Sequence, residues 1–264
     1  MIKSVKDNVA IGIRGCIKHP WTDNWQECLD TWAGQMISDG WRVKVHIGHP
    51  ELSEDYIDLN ELFLCKTTDN MGGVFMKSVY YPSKWLLEQD KYTHIFVTDS
   101  DTFVHPKRFE NEILKLQKIY GELDYVGALI PITDNDIEED FSSKRIPNPA
   151  GDEKFKHISG GSGFLISKKT ASKVVNEINF KAYLQYQDFK DDWFYYDDYF
   201  LGKIVEKYSI PSIHTNAFQS TSHQKNDILG CNPPAIESDE GSFVCVQHYR
   251  AGDMKEIMKT LKLV

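Results

Sequence analysis

The stretch His94-Ile95-Phe96-Val97-Thr98-Asp99-Ser100-Asp101 decides how this chain is interpreted. Its first four residues are apolar or favour β-structure, which predicts a buried strand at the centre of a sheet. Two carboxylates follow at the carboxyl end of that strand, where open α/β sheets bind their ligands. Asp-x-Asp also caps helices and turns, but a carboxylate pair at a buried strand end is costly without a partner. The context therefore favours a metal or ligand site.

Strand and helix patterns alternate on both sides of this strand. Strand patterns occupy residues 9–17, 41–47, 62–66 and 125–130. Helical spacing of apolar residues occupies residues 21–37, 71–87 and 106–120. A polar, acidic stretch at 133–156 predicts a long loop, and strand and helix patterns follow at 158–167 and 168–178. This order predicts an α/β fold with a mainly parallel central sheet flanked by helices.

The composition limits the classes of partner. The chain has 264 residues, a net charge of -9 and scattered basic residues, so we expect no nucleic-acid binding. No apolar run approaches the ~18 residues of a membrane-spanning helix, and the polar start does not resemble a signal peptide. We therefore expect a protein of the cytoplasm or of a host cell's cytosol, without an integral membrane segment. Five cysteines without a C-x-x-C pair predict buried, reduced thiols.

The carboxylates after the central strand suit a hard divalent cation. Mn2+ and Mg2+ accept oxygen ligands and keep open positions for phosphate groups. A cation held by Asp99 and Asp101 would neutralise a diphosphate leaving group. The pair alone therefore predicts a divalent metal, and the substrate class has to come from other segments.

Residues 98–104, Thr-Asp-Ser-Asp-Thr-Phe-Val, resemble the DxD motif of GT-A-fold glycosyltransferases. They are most similar to the fringe-type β1,3-glycosyltransferase family, whose pattern reads K-x-D-D-D-x-[FY]-[VI]. Ser100 stands where that family has its middle acid. The resemblance implies a GT-A-like fold, a UDP-sugar donor, and Mn2+ or Mg2+ as cofactor. It further implies that Asp101 contacts the metal directly, while Asp99 contacts the nucleotide ribose or a metal-bound water and Ser100 lies beside the nucleotide-sugar.

Residues 157–167 (HISGGSGFLIS) resemble the family's Gly-Gly-x-Gly-x-x-x-Ser segment. The resemblance implies that Gly160 and Gly161 contact the donor sugar, because glycines allow a backbone to approach a ligand closely. A tight turn that enters a helix is the alternative. For Ser167 we predict a cap of the following helix.

Asp197-Asp198-Tyr199-Phe200-Leu201-Gly202 resembles the family's [ED]-D-[VT]-x-x-G segment, where inverting members carry their general base. An acceptor hydroxyl must lose a proton as it attacks the anomeric carbon. The resemblance assigns this role to Asp198, with Asp197 as the second candidate, and helix capping is the alternative. His248 matches the C-terminal histidine that GT-A enzymes often bring to the metal, and imidazole suits Mn2+.

Three further residues complete the expected site. Arg14 follows the first strand pattern and would meet the diphosphate or the base. Asp69 follows another strand pattern and would contact the nucleotide. For both residues an ordinary polar loop is the alternative. Trp193 lies in an aromatic stretch, where its ring would stack on the acceptor sugar or pack within the loop itself.

These features predict a single glycosyltransferase domain over residues 1–264, with a nucleotide-binding half at 1–131 and an acceptor-binding half at 132–264. The expected reaction moves a sugar from a UDP-sugar to a glycan or glycoprotein hydroxyl with inversion. A retaining GT-A enzyme, a sugar-nucleotide nucleotidyltransferase and a non-catalytic glycan- or nucleotide-binding protein are the alternatives. The short Gly12-Ile13-Arg14-Gly15 segment argues against the nucleotidyltransferase, and the presence of metal acids and a candidate base argues against the non-catalytic protein.

Overall fold

The computed structural model describes residues 4–17, 21–69, 73–131, 156–158, 161–177, 197–219, 244–246, 254–255 and 259. The strands, in chain order, are β1 (Val9–Arg14), β2 (Val43–Gly48), β3 (Tyr56–Asp58), β4 (Leu62–Cys65), β5 (His94–Asp99), β6 (Phe103–Val104), β7 (Tyr125–Gly127), β8 (Leu129–Pro131), β9 (Lys156–Ile158), β10 (Phe164–Ser167), β11 (Ser212–His214), β12 (Phe218–Gln219) and β13 (Cys245–Val246). The helices are α1 (Val5–Asn8), α2 (Trp21–Asp30), α3 (Trp32–Ser38), a π-helical turn (Met76–Tyr80) that runs into α4 (Tyr81–Glu88), α5 (Pro106–Tyr120), α6 (Lys168–Glu177) and α7 (Asp197–Lys207).

Eight strands form the central sheet, in the order β11-β7-β10-β5-β1-β2-β4-β3. β1 pairs in parallel with both β2 and β5, β2 pairs in parallel with β4, and β7 pairs in parallel with β11. Only β10 and the edge strand β3 run antiparallel to their neighbours in this sheet. The predicted α/β fold with a mainly parallel sheet is confirmed, and β5 lies in the interior of the sheet, as its apolar sequence predicts.

Helices cover both faces of the sheet. Side chains alternate along each strand, so Phe96 of β5 joins one hydrophobic core while Ile95 and Val97 join the other. The first core lies under α2, α3 and α5, and includes the fully buried Trp32 and Phe109. The second core lies under the π-helical turn, α4, α6 and α7. Among the described residues, no helix combines the length and the apolar character needed to cross a membrane.

Two predicted helices differ from the elements observed. The helix predicted at 21–37 is divided into α2 and α3 at Thr31, whose hydroxyl donates to the Glu27 carbonyl at 2.5 Å and competes with the regular backbone bonds. The helix predicted at 71–87 is described from residue 73 and has its π-helical turn before α4. Pro82 has no N–H to offer the Ser78 carbonyl, so one regular helical bond is missing at that junction.

The second half of the chain completes the sheet that the first half begins. β10 inserts between β5 and β7, and β11 pairs with the outer side of β7. A smaller sheet joins β12, β13 and β6, and so places a late segment of the chain next to the segment that follows β5.

Candidate active site

The carboxyl end of β5 continues into a turn that carries the Asp-x-Asp motif. The backbone carbonyl of Gly161 lies against this turn and accepts three hydrogen bonds. The donors are the Asp99 N–H at 3.3 Å, Thr98 Oγ1 at 3.3 Å and Thr102 Oγ1 at 2.8 Å. The structure thus brings the glycine segment and the acidic turn, which are far apart in sequence, into direct contact.

Gly163 allows the glycine segment to pack closely against Phe96 of the central strand β5. Its φ is +103°, in the region that favours glycine, and an added Cβ would lie 2.2 Å from Cζ of the Phe96 ring. A side chain at this position would therefore strain the backbone and displace a core residue of β5. The close approach that glycine allows here is to the protein itself.

The thiol of Cys28 supports the acidic turn from α2. Its Sγ donates to the Ser100 carbonyl at 3.1 Å, and complete burial raises the pKa of the thiol, which keeps it protonated. Ser100 is itself buried, so an acid in its place would add a third, buried carboxylate between Asp99 and Asp101. Of the cysteines whose side chains are described, Cys28 and Cys65 are buried as predicted, whereas Cys16 is only half-buried, and each of the three carries a free thiol.

Arg14 stands opposite Asp99 in the parallel register of β1 and β5, and the two side chains form an ion pair. Each is 17% exposed, so the pair borders solvent at the carboxyl end of the sheet. The guanidinium offsets part of the negative charge that the acidic turn concentrates there. Asp101 is half-buried in the same turn. Of the predicted site residues, the structure therefore brings Arg14, Asp99, Ser100, Asp101 and Gly161 together.

Asp69 lies in the loop after β4 and binds the neighbouring loops. Its Oδ1 accepts the Gly48 N–H at 2.9 Å and meets the Lys77 ammonium at 3.0 Å, while Oδ2 accepts the Ile17 N–H at 2.6 Å. Burial acts to raise the pKa of Asp69, but the Lys77 charge and these hydrogen bonds outweigh it and hold that pKa below its ordinary value. The carboxylate is engaged by the protein, and a direct contact with a nucleotide stays a prediction.

The sequence interpretation missed Lys77 and the side chains that hold the acidic turn. Lys77 interrupts an apolar stretch between Met76 and Val79, and a lysine in such a setting needs a buried partner. That signal was available in the sequence. Cys28 and Thr102 had no comparable signal, because each bonds to a backbone carbonyl that is distant in sequence.

The predicted cap of α6 is confirmed. Ser167 Oγ accepts the Thr170 N–H at 3.3 Å, and the same hydroxyl donates to Asp124 Oδ1 at 2.7 Å. The other carboxylate oxygen of Asp124 meets the Lys169 ammonium at 2.6 Å. Thr170 Oγ1 donates to the Asp124 carbonyl at 2.7 Å, so this aspartate is joined to α6 through both its side chain and its backbone.

The segment predicted to carry the general base opens α7, which begins at Asp197. Leu201, Ile204 and Val205 of α7 are buried in the second core and fix the helix to the sheet. The side chains of Asp197 and Asp198 lie outside the described part of the structure. The role of Asp198 as general base, with Asp197 as second candidate, therefore stays a prediction.

Gly160, Trp193 and His248 lie outside the described residues. The strand that leads to His248 is described: β13 pairs antiparallel with β6, and Val246 stands opposite Phe103. Val246 precedes His248 by two residues, and Phe103 follows the Asp-x-Asp motif by the same interval. Strand pairing thus places the segment before His248 beside the segment after the acidic turn.

The acidic turn fits a hard cation in the type of its ligands. Asp99 and Asp101 supply carboxylate oxygens, which Mn2+ and Mg2+ accept. Within the described ranges, no three His, Cys, Asp or Glu side chains lie close enough together to hold a metal ion. A cation at this turn would need further ligands from the remaining residues, such as His248, or from phosphate and water oxygens.

The sheet, with its acidic turn at the carboxyl end of a central strand, defines an α/β fold whose ligands are expected at that end of the sheet. The chain belongs to the Fringe-like family, whose model matches residues 26–232, and it is therefore a glycosyltransferase. The resemblance to fringe-type glycosyltransferases is confirmed by this match. No curated protein matches the chain.

Three solved structures are similar to the chain at low sequence identity. A glycosyltransferase involved in the glycosylation of the major capsid of PBCV-1 is 12% identical with a TM-score of 0.47, over 97% of this chain and 100% of that one. Francisella tularensis 2-C-methyl-D-erythritol 4-phosphate cytidylyltransferase is 11% identical with a TM-score of 0.38, over 78% and 89%. A CMP:2-keto-3-deoxy-manno-octonic acid synthetase complexed with CTP is 8% identical with a TM-score of 0.36, over 79% and 89%.

Proposed function

We propose that this chain transfers a sugar from a UDP-sugar to a hydroxyl group of a glycan or glycoprotein, with Mn2+ or Mg2+ as cofactor and with inversion at the anomeric carbon. One observation carries the proposal. In a Fringe-like chain, two carboxylates follow the central strand β5, and both Arg14 and the Gly161 carbonyl lie against their turn.

The proposed metal ligands are Asp101 and His248, with Asp99 in contact directly or through water. When bound, the cation supplies positive charge that stabilises the departing diphosphate. Arg14 adds a second positive charge at the same end of the sheet, and its ion pair with Asp99 supports the placement of Asp99 on the nucleotide side. The register of β13 with β6 supports His248 as the histidine that completes the set.

The proposed proton transfer uses Asp198, with Asp197 as the second candidate. The acceptor hydroxyl gives its proton to this carboxylate, its oxygen forms the new bond to the anomeric carbon, and the bond from that carbon to the UDP oxygen breaks. Attack from the face opposite the leaving group inverts the anomeric configuration. Both acids lie in the first turn of α7, where a helix N-terminus favours negative charge.

The donor sugar and the acceptor sugar are proposed to contact different segments of the chain. Gly160 and Gly161 would allow the backbone to approach the donor sugar, with Ser100 beside it. Trp193 would offer an aromatic face for the acceptor sugar. The contact between the Gly161 carbonyl and the acidic turn supports a donor sugar close to the diphosphate.

The first test is thermal unfolding with UDP, GDP and CMP sugars, each with and without Mn2+. We expect UDP-sugars to raise the Tm of the wild-type protein only when Mn2+ is present, and Asp101→Ala to lose this shift. Asp90→Ala is the matched control, since Asp90 is exposed just before the opposite end of β5. A shift that survives in Asp101→Ala would refute the role of Asp101 in metal binding.

The second test separates the reaction classes by their products. Incubation with a UDP-sugar and acceptor should release UDP, whereas UTP and a sugar 1-phosphate should release no pyrophosphate. The anomeric configuration of the purified product, measured by NMR, then reports the stereochemistry. A retained configuration would exclude the inverting mechanism with Asp198 as base, and pyrophosphate release would favour a nucleotidyltransferase.

A further inference from the structure

Lys77 is a buried cation at the carboxyl end of the sheet. Its side chain is 3% exposed on the π-helical turn, and its Nζ donates to the Gly15 carbonyl at 2.8 Å and to Asp69 Oδ1 at 3.0 Å. Burial of an ammonium group is costly, and here a carboxylate and a carbonyl compensate it. The ammonium therefore joins the loop after β1 to the loop after β4.

Asp69 extends this connection to a third loop. Its side chain is 8% exposed and accepts the backbone N–H of Ile17 after β1 and of Gly48 at the end of β2. Its backbone carbonyl also accepts from Cys16 Sγ at 3.0 Å. One carboxylate and one ammonium thus tie together the chain that leaves β1, β2 and β4.

The packing around the pair leaves little room for these loops to shift. An added Cβ at Gly48 would lie 2.4 Å from the Thr68 carbonyl oxygen, and one at Gly73 would lie 1.9 Å from the same atom. The backbone before Asp69 is therefore pressed against both the end of β2 and the chain that enters the π-helical turn. Small displacements of the pair would be transmitted to its neighbours.

The connection reaches the ion pair of the candidate active site through one residue. Gly15 donates its N–H to the His46 carbonyl at 2.9 Å and receives the Lys77 ammonium on its own carbonyl, so its peptide groups are held on both sides. Arg14 precedes Gly15 directly and forms the ion pair with Asp99. The direction of the Arg14 side chain therefore depends on a backbone segment that Lys77 and Asp69 hold in place.

We propose that Lys77 and Asp69 form a positioning pair, which fixes residues 15–17 and thereby aims Arg14 at the diphosphate of the bound nucleotide. This inference rests on the proposed function, because it assumes that a nucleotide binds beside Asp99. Neither residue needs to contact the substrate for this positioning role. A buried ion pair is weak evidence for stability, since apolar groups of similar size can replace it. Its three hydrogen bonds to Gly15, Ile17 and Gly48 instead define the geometry of the segments that follow β1 and β2.

The experiment measures the Kd of UDP with Mn2+ by titration calorimetry on full-length variants. The variants are Lys77→Met, Asp69→Asn and the double variant, which removes both charges. We expect each to weaken UDP binding by roughly tenfold or more, because a small misplacement of a binding group is expensive. Lys169→Met is the matched control: it removes the ammonium from the Asp124 pair, which lies before β7 and away from Arg14. We expect this control to keep the wild-type Kd.

The double variant distinguishes two causes of weaker UDP binding: the loss of loop positioning, and a buried charge left without its partner. If a single variant binds UDP poorly only because it leaves one buried charge without its partner, the double variant should recover wild-type affinity, and the inference is overturned. If the pair positions the loop, the double variant stays weak although circular dichroism shows it folded. Wild-type protein that binds no UDP would overturn the proposed function, and this inference with it. Wild-type affinity in all folded variants would overturn the inference alone.

Discussion

Two aspartate-containing turns lie at opposite ends of the central sheet, Asp124 before β7 and Asp99 to Asp101 after β5. The Asp124 side chain is 5% exposed and bonds Ser167 and Lys169, so the carboxylate itself holds the structure. In the turn after β5 the backbone is held instead, by the Gly161 carbonyl and by Cys28, while the Asp99 carboxylate borders solvent and Asp101 is half-buried. The Asp124 turn is thus held through its carboxylate, whereas the turn after β5 is held through its backbone, and its Asp99 carboxylate pairs with Arg14 at the border with solvent.

The largest expected effect is on turnover at the acidic turn. Asp101→Ala should reduce the rate of UDP release by on the order of 100-fold or more, because it removes charge from the site where the metal is proposed to bind. Its free energy of unfolding should change by less than about 1 kcal/mol, since Asp101 is only half-buried. Kinetics and urea unfolding of the same sample check both parts. A large loss of stability together with the loss of activity would show that the Asp101 carboxylate holds the structure, as the Asp124 carboxylate does.

The reverse result is expected at the other turn. Asp124→Ala should lower the free energy of unfolding by about 2 kcal/mol, because Ser167 loses a buried hydrogen-bond acceptor. Lys169 is more than half exposed, so its lost ion pair adds little. UDP release per folded molecule should match the wild type at low temperature. Urea unfolding gives the first quantity, and a loss of specific activity would show that the two turns are not independent.

The free energy of unfolding should also depend on pH through His46, a buried residue of β2 outside the acidic turn. Burial lowers the pKa of His46 to about 3 from its ordinary value of 6.5, so between these values the unfolded chain holds a proton that the folded chain does not. Stability from neutral His46 is thus complete above pH 6.5 and falls as the pH drops towards 3, by up to about 1.4 kcal/mol per pH unit. Urea unfolding at pH 7 and pH 5 should show a smaller difference in His46→Phe than in wild type. If the difference between pH 7 and pH 5 is the same in His46→Phe as in wild type, His46 is not the source of the pH dependence.

The smallest effect is expected at the cap of α6. Ser167→Ala should cost about 1 kcal/mol of stability, the usual value for a helix cap. The variant keeps the Thr170 hydroxyl bond to the Asp124 carbonyl, so part of the junction survives. Thermal unfolding measures the cost, and the UDP Kd serves as the control that should not move. A weaker Kd would mean that β10 passes the change on to the Gly161 carbonyl.

Local pattern was sufficient to predict the main elements that position the site. The apolar run before Asp99 predicted an interior strand, and the spacing in residues 106–120 predicted α5 with the bounds observed. Ser167 was predicted as a cap because capping depends on residues within one turn. In each case the determining interactions are close in sequence.

The contacts that assemble the site depend on distant residues and escaped prediction. The Gly161 carbonyl, Cys28 and Lys77 each act across a large interval of sequence, and no periodicity records which loop a carbonyl or thiol will meet. Asp69 illustrates the difference, because its place after a strand was predicted correctly while its bonds to the loops after β1 and β2 were not. Residue type and strand order predict which side chains lie at the carboxyl end of the sheet. Which of these acids bonds to other protein groups, as Asp69 does, depends on tertiary contacts that the sequence pattern does not record.

The insertion of β10 beside β5 has a consequence for synthesis of the chain. Until residues 164–167 have emerged from the ribosome, β5 has β1 on one side and an open row of backbone donors and acceptors on the other. An early fragment would therefore present Ile95, Phe96 and Val97, which are buried in the complete sheet, on an edge strand, and such exposed strand edges promote aggregation. Truncation after residue 131 should yield an insoluble product, and the first half of this chain depends on the second to become a folded protein.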